Sequence, residues 1–333
     1  MDFITILLKM VQLFSVIILG FVANKCGIFD KDTRVRATKI VINITMPAMM
    51  LASVADVSTL PKTSEIISLL VVAMSAYFIW FLCAMLVPVL LRVKKDEVGI
   101  YRFMILFGNV GFIGYPVTQA VFGDEALFYT TVFNLPFNVL AYSLGVYFLL
   151  ETKKAGDCVM DDEGDVDSQV TLQETQQSKS GISPSLFLTP AFISSVIVIC
   201  IAFFHIDMPD MIGATCDMVG AVTTPMALMI IGSTLADIPV SALVGSRRVY
   251  LMSLLRMFVV PLVVFLIYRL FVHDPLLLGV CVIITAMPVA TNGTMLCLQY
   301  DRDEKVMAQG TFITTVLSVF TIPLFAILLS GGV

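Results

Sequence analysis

Gly108-Asn109-Val110-Gly111-Phe112-Ile113-Gly114-Tyr115-Pro116 interrupts an apolar run that otherwise extends over residues 98–122. Three glycines weaken a helix, and proline removes a backbone donor and clashes with the turn before it. A second interruption, Ala286-Met287-Pro288-Val289-Ala290-Thr291-Asn292-Gly293, divides the apolar run 275–299. Broken helices leave N–H and C=O groups that hydrocarbon cannot satisfy. Each break must therefore face protein, water or a ligand.

The rest of the chain says that hydrocarbon is the relevant solvent. Of 333 residues, 58% are hydrophobic and only 14% charged, against about 25% charged in soluble domains. Mean hydropathy is +0.96. The fold class expected is an all-α polytopic membrane protein with about ten transmembrane helices. Apolar runs place them near 3–23, 34–55, 64–91, 98–122, 125–150, 185–204, 211–235, 248–271, 275–299 and 304–330. The N-terminal run follows Asp2, where a cleavable signal would carry a basic region, so it reads as the first membrane helix.

Loop charges orient the spans. Of twenty Lys and Arg, sixteen fall in the loops after odd-numbered spans, three on the other side, and Arg256 lies inside a span. The positive-inside rule then puts both termini outside the cytoplasmic membrane. Residues 151–184 carry eight acidic against three basic residues, the whole formal net charge of −5. They read as an acidic disordered cytoplasmic loop. That loop separates a first five-helix repeat, 1–150, from a second, 185–333. An odd number of helices per half gives the halves opposite orientations, the topology of an inverted repeat. Pro47 and Pro225 lie 178 residues apart, Pro116 and Pro288 172 apart, and Asp124 and Asp303 179 apart, which supports duplication.

Matching interruptions in two halves are the best sequence pointer to a transport site. Pro116 and Pro288 are each expected as the first residue of a second half-helix, whose N-terminus offers free N–H groups and a partial positive charge to an anion. Candidate substrate-binding residues are Asn109, Gly111, Gly114, Pro116, Val117, Thr118, Pro288, Thr291, Asn292 and Gly293. Gln119 and Thr294 are further polar groups at depth. Asn43, Ser53, Asn134, Asn138 and Arg256 are candidate cavity-lining residues. For the asparagines interhelical hydrogen bonding is the preferred account, and for Arg256 it is snorkelling to the cytoplasmic interface. Seven cysteines without a CxxC pair and two histidines, His205 and His273, suggest no metal site. No HExxH, P-loop or paired intramembrane aspartates point to an enzyme or an ATP-driven pump, and nothing points to nucleic acid. No catalytic residue, metal ligand or cofactor is expected. The absence of a clearly central carboxylate leaves coupling to Na+ or H+ open.

Four elements carry a family resemblance: Asn43-Ile44-Thr45-Met46-Pro47, the Gly108–Pro116 stretch, Thr224-Pro225-Met226-Ala227-Leu228-Met229-Ile230-Ile231-Gly232-Ser233-Thr234-Leu235-Ala236, and Met287-Pro288 with Asn292. With them the chain resembles the auxin efflux carrier family, whose bacterial members include malonate and malate permeases. The resemblance implies a fold like that of bile-acid/sodium symporters: two inverted five-helix repeats, broken crossover helices four and nine, and a homodimer. It implies a scaffold of helices one, two, six and seven, and a second domain that slides in an elevator motion. It implies that Pro116 and Pro288 mark the crossover that carries a small carboxylate. Plant members have asparagine directly after the first crossover proline; Val117 stands there here, so substrate identity does not carry over. The short loop resembles bacterial members, implying a multi-pass protein of the bacterial inner membrane. Two other readings stay open: a sodium-coupled symporter of related fold with another substrate, and a non-transporting membrane sensor.

Overall fold

The structure is a computed structural model that describes residues 3–55, 60–151, 189–237, 246–300 and 302–330. The acidic loop 151–184 lies outside the described residues, apart from Glu151. The described chain is helical: α1 Phe3–Lys25, α2 Lys31–Ala52, α3 Thr63–Leu90, α4 Val98–Leu106, α5 Val110–Phe122, α6 Glu125–Glu151, α7 Pro190–Phe204, α8 Asp210–Asp237, α9 Arg247–Tyr268, α10 Pro275–Thr285, α11 Asn292–Gln299 and α12 Glu304–Ser330. No strand occurs among the described residues; one isolated β-bridge does.

Seven of these helices (α1, α2, α3, α6, α8, α9 and α12) are long and apolar enough to cross a bilayer. Three shorter apolar helices, α5, α7 and α10, accompany them. At 11 residues, α10 rises only about 16 Å, roughly half a hydrocarbon core. It is too short to cross a bilayer by itself. Large apolar side chains point outward along α1 (Leu8, Val11, Ile18) and α3 (Val71, Phe78, Leu86). Such faces suit lipid and would be costly in water.

Apolar side chains supply little drive for helices to associate in lipid, so close approach matters more. Helices α1 and α8 show this. A Cβ on Gly20 would strike the Met229 backbone, and one on Gly232 would strike the Ile17 carbonyl. Polar links from α1 and the start of α2 hold the end of α8. Asn24 Nδ2 donates to Ser233 Oγ at 3.1 Å, and Arg34 forms an ion pair with Asp237. Nearby, Asp30 caps α2 by accepting from Thr33 N at 2.9 Å, and its bonds from Thr33 hold its carboxyl below the usual range.

The prolines do not end helices where the sequence suggests. Pro47, Pro116 and Pro261 each lie two residues past a π-helical turn, at Val41–Thr45, Val110–Gly114 and Leu255–Val259. A widened turn relieves the clash of the pyrrolidine ring with the preceding carbonyl. Helix α2 consequently runs unbroken through Pro47. Pro116 is not the first residue of a half-helix, because α5 has already begun at Val110. Pro288 is not one either: it lies in an extended break, and α11 begins at Asn292.

Candidate functional site

The first interruption is short. Helix α4 ends at Leu106, Phe107 is extended (φ −107°, ψ 110°), and Asn109 departs from helical geometry (φ −79°, ψ 65°) before α5 starts. The second covers Ala286 to Thr291 between α10 and α11. The two breaks meet. Asn109 N donates to Pro288 O at 2.8 Å, and Ala290 N donates to Phe107 O at 3.1 Å. Gly108 and Val289 form an antiparallel bridge. Each break thus satisfies the other's backbone, which hydrocarbon cannot do. Pro288 suits its place, since it supplies a carbonyl to this pairing and has no N–H to satisfy.

A third segment supports the crossover. Val289 N donates to Thr314 Oγ1 at 3.0 Å, and the Thr314 hydroxyl donates to Gly310 O at 2.7 Å within α12. On one face of the crossover lies Arg256, 4% exposed. Its guanidinium donates to Ile105 O and, at 3.2 Å, to Met287 O. The snorkelling account of Arg256 is therefore overturned: the helix carries the side chain inward, to carbonyls at the ends of α4 and α10.

On the other face lies a cavity of about 100 Å³. Asn109, Gly111, Thr291 and Asn292 line it, together with Asn134 and Asn138 from α6. Asn109 Oδ1 accepts from Phe112 N at 3.2 Å and caps α5. Asn109 Nδ2, Asn134 Oδ1, Asn138 Nδ2 and Asn292 Oδ1 are buried without a hydrogen-bond partner. Four such groups around one cavity are unusual, because buried polar atoms are normally paired. They offer donors and acceptors to whatever enters.

Six of the ten candidate binding residues do not line this cavity. Pro288 supplies backbone to the crossover, and Gly114, Pro116 and Val117 pack within or behind α5. Thr118 is occupied, donating to Gly114 O at 2.8 Å and lying 2.8 Å from Thr130 Oγ1. Gly293 packs against Phe103 and Met307. Asn43 is exposed and donates to Lys39 O at 2.9 Å in its own helix, so it stays outside the cavity. Ser53 donates to Met50 O at 2.6 Å and lines a different, larger cavity. That cavity, about 420 Å³, is bordered by Asp124, Glu125 and Asp217, which repel an anion.

Aromatic residues that the sequence reading did not single out complete the smaller cavity: Phe112, Phe137 and Tyr142. Tyr142 follows Asn138 by one helical turn, so the face shared with Asn134 and Asn138 was the available signal. No charged side chain lines the cavity among the described residues. No group of three or more His, Cys, Asp or Glu able to hold a metal occurs among them either.

Apolar helices of membrane length, crossed over two paired breaks, define a polytopic membrane protein of the transporter class. Comparison with known proteins gives the family. Residues 5–326 match the family described as Membrane transport protein, and the chain belongs to it, the auxin efflux carrier family that its motifs resemble. An uncharacterized transporter of Methanocaldococcus jannaschii is 24% identical over 93% of this chain and 94% of its own length. An uncharacterized transporter of Methanothermobacter thermautotrophicus is 22% identical over 94% of this chain and 95% of its own length.

Proposed function

We propose that the protein is a secondary transporter of small organic anions, with malate, malonate and auxin-like carboxylates as the substrate class, and that the asparagine cavity holds the carboxylate. The observation that carries this reading is the pair of unpaired amide nitrogens, Asn109 Nδ2 and Asn138 Nδ2, in a cavity beside two half-helix starts. Helix N-termini favour negative charge, and amide N–H groups bind a carboxylate without a buried lysine. The aromatic wall would take an apolar body.

In this reading the chain has ten membrane spans, with α4 and α5 forming the fourth and α10 and α11 the ninth. Six helices on each side of the undescribed loop suit two inverted five-span repeats with one broken span each. The cavity lies between Ile42, Met46 and Ala191 on α2 and α7, and residues of α5, α6 and α11. Those two walls match the implied scaffold and sliding domain. At about 100 Å³ the cavity holds roughly three waters, less than an ordinary ligand pocket. Substrate entry therefore requires one wall to move against the other, as an elevator motion would provide. The protein would sit in the cytoplasmic membrane with both termini outside, as a homodimer.

Counterflow of labelled malate, malonate or an indole carboxylate into liposomes tests the reading, with and without sodium or proton gradients. Saturable flux that Asn109→Ala weakens supports it. No flux of any anion overturns it.

A further inference from the structure

Two interrupted helices create two kinds of end at membrane depth. The starts of α5 and α11 carry partial positive charge; the ends of α4 and α10 carry under-bonded carbonyls and partial negative charge. Half-helix ends of the second kind are places where transporters hold a metal cation. Here a side chain reaches them. Arg256, from α9, donates to Ile105 O near the end of α4 and to Met287 O just past α10. It joins the two halves of the chain at the point where they cross.

Three observations mark this as a fixed cation. First, Arg256 forms none of the ion pairs among the described residues, which are Arg34–Asp237, Lys94–Glu97 and Arg102–Glu151. A buried charge without a carboxylate partner is costly, and its partners are the two carbonyls. Second, the gap bounded by Trp80, Gly108, Val260 and Thr285 beside it has no room for a water molecule, and hence none for a hydrated ion. Third, the crossover makes space for it. A Cβ on Gly108 would lie 2.8 Å from Arg256 Nη2, so with any other residue there the end of the guanidinium would have to shift.

We propose that Arg256 is the resident cation of the crossover, a positioning residue that holds the ends of α4 and α10 in place of a bound monovalent metal ion, so that anion movement through the neighbouring cavity requires no Na+. The flux part of this inference rests on the transporter reading; the structural part does not.

The test uses the full-length protein in liposomes, with labelled malate, malonate and indole-3-carboxylate as probes, and the same preparation in detergent. Wild-type flux is expected to be equal in sodium chloride and choline chloride. Arg256→Ala is expected to lower kcat by about tenfold or more with KM little changed. Arg256→Lys retains part of the flux, since it restores charge without the planar fork. Millimolar guanidinium is expected to restore flux to Arg256→Ala and to raise its melting temperature by a few degrees, with no rise for the wild type or with Na+. A wild-type flux that collapses in choline overturns the proposal, as does an Arg256→Ala protein with wild-type flux and melting. If the wild type moves none of the three anions, the transporter reading fails and the melting measurement alone decides about Arg256. If Arg256→Ala does not fold, the wild-type sodium measurement and the Arg256→Lys flux decide.

Discussion

The two faces of the crossover are built from opposite materials. On one, the Arg256 guanidinium donates to Ile105 O and Met287 O in a space closed to water. On the other, Asn109, Asn134, Asn138 and Asn292 surround a cavity, each with one amide atom that lacks a partner. Both faces are built on the same two backbone segments. Helix polarity explains the difference. The carbonyl ends of α4 and α10 attract a donor such as the Arg256 guanidinium, whereas the N–H ends of α5 and α11 favour negative charge. A closed face and an open face on one crossover allow the site to be rigid and receptive together.

The contrast breaks most completely at Gly108. Gly108→Leu puts a Cβ 2.8 Å from Arg256 Nη2 and 3.4 Å from Met287 Cβ, and the rest of the leucine side chain is expected to push the guanidinium off its carbonyls. Loss of flux by about a hundredfold or more is expected, with a lower melting temperature, because overpacking and an unpaired buried charge act together. Flux assays and thermal melts in detergent measure both.

Asn109→Ala attacks the open face. It removes one unpaired amide and the cap on Phe112 N. A hydrogen bond to a charged ligand is worth about 1.5–3 kcal/mol, so KM should rise roughly ten- to hundredfold. The cap loss costs about 1 kcal/mol of stability. A KM unchanged from wild type would move the carboxylate elsewhere.

Thr314→Val sharpens the contrast from the supporting side. It leaves Val289 N without its acceptor and spares both Arg256 and the asparagines. A destabilisation of about 1–3 kcal/mol is expected, with a smaller loss of flux than either change above. Asn43→Ala is the smallest. Its amide is exposed and bonded within α2, so flux and melting should stay near wild type. A large effect there would extend the site beyond the present cavity.

Much of this was readable in advance, and the reason is local. Apolar runs reveal membrane helices because lipid acts on each segment separately. The glycines and prolines at 108–116 and 286–293 announced two interruptions, and the structure has both. Their exact places were not readable. Pro116 was the obvious breaking point, but a π-helical turn absorbs it, and the break falls at Phe107–Asn109 instead. The pairing with Pro288 and Ala290, nearly 180 residues away, selects that position. Arg256 departs from the expected snorkelling for a related reason. Its distance along the helix from Arg247 and Arg248 suggested an interface, but which neighbour it meets depends on how α9 packs.

The sequence by itself determined a helical membrane protein, its family motifs and two interrupted spans, since these follow from apolar length and backbone-breaking residues. Only the tertiary structure decided that the interruptions pair with each other, that Arg256 closes one face, and that four asparagines, one from a break and three from two helices, share the other. Those facts belong to contacts between distant segments, where hydrogen bonding at membrane depth must be satisfied jointly rather than helix by helix.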